Sequence, residues 1–289
     1  MGTSQEGLWS MTKGEFEDSV RRFEEAIKGR GGNPRAIFDK FRTDGDFVRQ
    51  LAEFACRGGV AEAVNHLVVR AIMGQNFFGP ADWTALYGVN FSKKELRAVA
   101  QLPWGEEVLN APCPFYPGKQ VKETHFAFLG LTKFKGQPLT IRKWQEIHPA
   151  TGQPRFYGYA PECWYAKEDF ATKVTARFEW RLILKDIVPD SEGKDWESQK
   201  KMLPSEYEPM SAVINVTKDI LCVRKTGIWP NPERYSRCED IASDGNRVLV
   251  GSGAADGLLL GGWDVDDPHG SFGLGASRRF PSVKIIKGF

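Results

Sequence analysis

Residues 237–280 read RCEDIASDGNRVLVGSGAADGLLLGGWDVDDPHGSFGLGASRRF, and their spacing constrains the fold more than any other part of the chain. Short apolar runs at 247–250, 257–260 and 273–276 recur about every ten residues, parted by glycine and aspartate turn signals. That pattern predicts a compact antiparallel β meander. Trp263 stands at its aromatic-rich connection, and the basic pair Arg278 and Arg279 closes it. No catalytic motif lies inside, so the stretch points to a displayed surface before it points to a reaction.

The N-terminal third has a different period. Phe16, Val20, Phe23 and Ile27 share one helical face, while Glu17, Asp18, Arg21, Arg22 and Glu25 occupy the other. Gly29, Gly31 and Gly32 end that helix. A second is expected from Pro34 to Phe41. Asp46 caps a third that carries Phe47, Val48, Leu51 and Phe54, and Gly58 and Gly59 stop it. A fourth, over 61–73, is apolar on most sides. Ser92 and Glu95 form a capping box ahead of a helix over 93–101, because each side chain satisfies a free backbone donor of the other residue.

Residues 111–118 (APCPFYPG) are too rich in proline and glycine for a helix, and a domain junction is expected there, giving a helical domain over 1–112 and a second domain over 113–289. Beyond it, 123–131 and 178–187 read as strands, and 140–147 as a helix led by a threonine cap. Residues 196–203 suggest a short helix. The β-branched run 211–224 (SAVINVTKDILCVR) is expected to be a strand that pairs with the meander. This order suits an α+β domain better than a doubly wound sheet.

The formal charge of +2 implies no general attraction to polyanions, so neither nucleic acid nor a membrane is expected as a partner. Cys56, Cys113, Cys163, Cys222 and Cys238 are odd in number and lack a CxxC spacing, which argues against a zinc site or a disulfide framework. Residues 1–10 do not resemble a signal peptide and no long apolar run appears, so cytoplasmic residence is the expectation. A phage structural protein would look the same.

Motifs for hydrolases, phosphate loops, zincins and dinucleotide binding are missing. The glycine-rich 251–257 leads from strand to strand, so a hairpin is a better reading than a phosphate cradle. Asp264, Asp266, Asp267 and His269 form the sharpest acidic cluster. Pro268 and Gly275 stand where a calcium loop needs ligands, and a solvated turn is expected with no metal or cofactor. His66, His125 and His148 read as structural. Cys113 between prolines, or Asp264 with His269, would serve an alternative reading as an enzyme, a hydrolase with an interdomain cleft.

The strings RCEDIASDGNRVLVG, ADGLLL and GLGASRRF, with Trp180, Leu182 and Trp196 upstream, resemble the closing strands of bacterial C-type lectin-like domains. The resemblance spans roughly residues 164–280 and its motifs are loose. FFGPADW, from Phe77, and WRLILKDIVPDSEGKDW extend it to an uncharacterised bacterial family associated with the variable proteins of diversity-generating retroelements. In those systems error-prone reverse transcription at adenines rewrites chosen codons of a target gene. The resemblance implies a non-enzymatic recognition protein, bacterial or phage, with a C-type lectin-like domain after the helical one. Calcium-dependent sugar binding is not implied.

On that reading the single interruptions between framework positions, Asn246, Leu249, Ser252, Asp256, Leu260, Val265, His269 and Ser271, join Trp263 and Asp267 as candidate ligand contacts. Strand alternation exposes part of such a set together. Leu249 and Leu260 face either ligand or core. The expected ligand is a protein or a surface polymer, and the helical domain offers a route to oligomers.

Overall fold

A computed structural model describes residues 12–56, 63–254, 256–264 and 267–280, save for the side chains at 53, 56 and 252–254. The fold is mixed α+β and divides into two compact units, Met1–Cys56 and Arg57–Phe289.

The smaller unit holds α1 (Lys13–Lys28), α2 (Pro34–Thr43) and α3 (Gly45–Cys56). Thr12 and Glu15 cap α1 reciprocally, and Asn33 caps α2 ahead of Pro34. Asp44, rather than the expected Asp46, caps α3: its carboxylate accepts from Phe47 N at 2.9 Å, while Asp46 pairs with Arg49. Phe23, Phe38, Phe41 and Phe47 meet edge to face or tilted, with ring centres 5.5–6.2 Å apart. The expected stop at Gly58 and Gly59 lies outside the described residues.

The larger unit opens with α4 (Val64–Met73), β1 (Phe77–Phe78), α5 (Pro80–Tyr87), α6 (Lys93–Ala98), α7 (Glu106–Asn110) and α8 (Val121–Thr124). Then come β2 (His125–Leu129), β3 (Lys133–Phe134), β4 (Gln137–Pro138), α9 (Ile141–Ile147), α10 (Asp169–Thr172), β5 (Trp180–Leu184), α11 (Trp196–Lys201) and β6 (Tyr207–Pro209). It closes with α12 (Ala212–Thr226), β7 (Tyr235–Ile241), β8 (Arg247–Ala254), β9 (Gly257–Trp263), β10 (Phe272–Leu274) and β11 (Ala276–Arg278).

The expected junction near residue 112 falls inside this unit. Trp83 on α5 donates to Leu129 O at 2.9 Å, and Trp180 on β5 donates to Val99 O at 2.9 Å, so the helices of 64–110 share one core with the strands. The proline-rich 111–118 is a closed loop, with Cys113 N bonded to Lys119 O and Val121 N to Ala111 O.

One sheet runs β1-β2-β5-β11-β6 and another β10-β7-β8-β9, with β3 and β4 a separate hairpin. Every residue of β2 is buried, as a central strand covered on both faces requires. Between these sheets lies α12, touching β2 on one side and β7 and β8 on the other. Its run is the stretch expected to be a strand. Burial from Ala212 to Val223 explains the difference: all sides of the helix are covered, and tertiary packing overrides the β preference of its valines and isoleucines. Gly227, at φ +75°, ends it in the left-handed region.

The C-terminal meander exists as β7-β8-β9, paired antiparallel with Arg237 opposite Leu249 and Leu249 opposite Gly261. The last expected run does not extend it. Instead β10 adds parallel to β7, Phe272 opposite Tyr235. At Gly275 the chain crosses to the other sheet, where β11 pairs with β5 and β6. A Cβ on Gly275 would lie 2.3 Å from Met210 Cε and 3.2 Å from Ser236 Cβ, so a side chain at the crossing would require the Met210 side chain to move. Arg278 therefore sits on the five-stranded sheet, over the Tyr207 and Phe280 rings, and Arg279 just beyond donates to Ser205 O. No helix among the described residues is long and apolar enough to cross a membrane.

Candidate functional site

Strand alternation sorts the terminal sheet into two faces. Val248, Val250, Leu258 and Leu260 point to one side and are buried, and Asn215 of α12 donates to Val250 O there. Tyr235, Arg237, Leu249, Leu259, Trp263 and Phe272 share the other side by their pairing.

That second side carries an aromatic cluster. His269 stacks on Phe272 with centroids 4.0 Å apart, and Trp263 stands edge-on to both at 5.0 and 5.1 Å. Tyr235 meets Phe272 edge-on at 5.6 Å. Trp263, His269 and Tyr235 are half-buried, while Phe272 is buried. Ser271 N donates to His269 Nδ1 at 3.2 Å, which puts the proton of the neutral ring on Nε2; that nitrogen has no partner among the described residues. The indole N–H of Trp263 likewise has no acceptor among the described residues. Two ring donors in one aromatic cluster thus lack acceptors among the described residues, and the buried one, the Trp263 indole N–H, costs roughly 1–3 kcal/mol while it is unmet.

Arg237 holds this cluster from below. Its side chain is fully buried and donates to Lys194 O at 3.2 Å, to Gln199 Oε1 at 3.4 Å and to Asp267 O at 3.0 Å. One guanidinium thereby ties β7 to the segment before α11 and to the β9–β10 connection that carries His269. Gly193 N adds a bond to His269 O. Beside it, Arg247 lies 3.8 Å from the Trp196 ring centre and donates to Glu239 O.

The ten sequence candidates do not form one patch. Trp263 and His269 come together, with Ser271 bonded to the His269 ring and Asp267 exposed on the connection between them. Asp256 is exposed at the β8–β9 turn. Asn246 lies at the β7–β8 turn with its side chain bonded to Asp244, on the face of Gly262 and Trp164. Leu249 and Leu260 are 2% and 5% exposed and belong to the interior: the first is covered on the aromatic side, the second faces α12. Val265 and the Ser252 side chain lie outside the described residues. Tyr235, Arg237 and Phe272 were not among the candidates, although the alternation of Tyr235 and Arg237 marks them as sharing one face of β7.

The other three histidines serve the interior. His66 donates to Val99 O, His125 bridges Thr124 and Tyr207, and His148 meets the Tyr87 hydroxyl at 3.1 Å. Burial pushes the His125 ring down to about 3 and the His148 ring to about 4, so both stay neutral. Cys113 is buried beside Phe115. Among the described residues no group of three or more His, Cys, Asp or Glu is placed to hold a metal. A separate cavity of about 780 Å³ is lined by Trp104, Glu106, Glu206, Arg278 and Phe280, among others. No protein-family model, curated protein or solved structure matches the chain.

Proposed function

We propose that the chain is a non-enzymatic recognition protein whose ligand seats on the Tyr235, Trp263, His269 and Phe272 face of the terminal sheet. The observation that carries this reading is the half-exposed aromatic cluster with two N–H donors that have no partner among the described residues, on a sheet whose other face is packed against α12. Aromatic rings supply contact area at low entropic cost, and unpaired donors reward a ligand that brings acceptors. A surface polymer or a protein loop presenting hydroxyl or carbonyl oxygens fits that chemistry. Sequence resemblance over roughly 164–280 supports a C-type lectin-like arrangement for the C-terminal part, and with it diversification by a retroelement.

Two experiments test the reading. Sequencing the DNA beside the gene and aligning it to codons 237–280 should find a near-copy that differs mainly at adenines, next to a reverse transcriptase gene. Without one, diversification falls and the binding face stands alone. For the face itself, Trp263→Ala and His269→Ala should each weaken binding to whichever immobilised cell-surface polysaccharide or protein the intact chain retains, by about tenfold or more. Equal retention by both variants would place the ligand elsewhere.

A further inference from the structure

We infer that the Met1–Cys56 unit is a self-association module that completes its core against a second copy of this chain. Not one described side chain between residues 12 and 56 is buried. Phe16 is 61% exposed, Phe54 40%, and Phe23 and Val48 37% each. Three short helices of this size do not supply a self-sufficient core, and small domains make up the deficit with disulfides, metals or oligomerisation. The four cysteines whose side chains are described are free and lie in the other unit, and no metal cluster occurs among the described residues. Among the described residues of the unit, association is the route that its exposed rings favour.

Two observations favour an identical copy. First, the polar side neither repels a copy nor selects a charged stranger: residues 12–56 contain nine Lys or Arg and nine Asp or Glu, so their net charge is zero. Much of that charge is already paired within single helices, Arg21 with Asp18 and Glu25, Arg22 with Asp18, and Arg49 with Asp46. Second, the α1 stripe is covered only in part within the unit: Phe23 packs on Phe38 and Phe41 yet stays 37% exposed, and Phe16 at its start is 61% exposed, which leaves an apolar strip that a like helix can cover. The exposed parts of Phe16, Phe23 and Phe54 amount to roughly 300 Å² per copy, taking about 200 Å² for a whole ring. A stable interface buries about 800 Å² per partner around such an apolar centre. The rings alone supply more than a third of it.

The inference does not depend on the recognition reading. Its test is the solution mass of the full chain, by light scattering and sedimentation from micromolar to hundred-micromolar concentration. The expected result is a defined multiple of 32.4 kDa. Phe16→Glu and Phe54→Glu should weaken association by about 100-fold and yield monomer with the circular dichroism of the larger unit intact. Ile241→Glu, at an equally exposed apolar residue on β7, should leave the mass unchanged. A monomer at every concentration would overturn the proposal, as would an oligomer whose mass survives both glutamates. Because the intact chain's own mass is informative, misfolding of a variant does not blunt the test.

Discussion

Acidification from pH 7 to pH 5 should destabilise the larger unit by about 2–3 kcal/mol, through histidines that the fold keeps neutral. Burial, the largest cause in each case, lowers His125 to about 3 and His148 to about 4 from an ordinary 6.5. A depressed histidine favours the unfolded chain once that chain can bind the proton. Its contribution is therefore complete above pH 6.5 and is lost as pH falls below it. At pH 5 each ring costs about 2 kcal/mol relative to pH 7, or about 4 kcal/mol together. Asp219 opposes them. Burial raises its carboxyl to about 6, although Lys218 at 3.0 Å pulls the other way, so the folded state takes up a proton first and gains about 1 kcal/mol over the same interval. Urea unfolding followed by near-ultraviolet circular dichroism at the two pH values measures the balance, and His125→Phe should shrink the pH effect by about 2 kcal/mol. Stability that does not change between pH 7 and 5, or a His125 ring resonance titrating near 6.5 in the folded chain, would refute the reasoning.

Three other perturbations have definite outcomes. Gly257→Ala should cost about 3 kcal/mol or more in urea unfolding, because Gly257 has φ +105° and a Cβ there would lie 2.7 Å from Arg155 O. Asp82→Asn should cost about 3–5 kcal/mol, since Arg70 at 2.8 Å and Lys225 at 2.9 Å would both lose the carboxylate they share. Lys218→Met should be strongly destabilising at pH 7, where it strands the buried Asp219 carboxylate, and this loss should shrink toward pH 5 as Asp219 takes up a proton; a loss that does not depend on pH would show that packing, not charge, was removed.

Local signals were legible where one residue's chemistry settles the matter. The Ser92 and Glu95 capping box, the Thr140 cap and the Phe16 to Ile27 stripe all appear as read, because each depends only on neighbours within one helical turn. Legibility failed where distant packing decides. The run 211–224 carries β-branched residues, yet Val213, Val216, Ile220 and Val223 also lie at helical spacing and Gly227 follows as a stop. Those two signals, with a length well beyond a typical strand, point to a helix, yet the strand expectation gives the β-branched content more weight; only the flanking sheets show why the helix is covered all round. The proline-rich 111–118 misled for a related reason: proline excludes helix without saying whether a loop closes on itself or links two bodies. Within the site, alternation separated the faces but could not show which side of Leu249 is covered.

Arg237 shows why the candidate site is more definite than its sequence suggests. Its buried guanidinium has no carboxylate within ion-pair distance among the described residues, and burial lowers its pKa. A lone buried cation bonded only to neutral oxygens is an inefficient source of stability, because desolvation offsets most of what the bonds return. Its geometric effect is larger than its energetic one. Three acceptors from Lys194, Gln199 and Asp267 converge on a single planar group, and the segments they belong to also meet through the bond from Gly193 N to His269 O. The two loops must therefore take one relative position for the two terminal guanidinium nitrogens to keep these bonds. Asp267 and His269, on the connection between β9 and β10, are thereby tied to β7 and to the segment before α11. Side chains at the exposed points of that connection can then differ without moving the rings of Trp263 and His269, which is the property a recognition face needs if its contacts are to vary while its frame stays fixed.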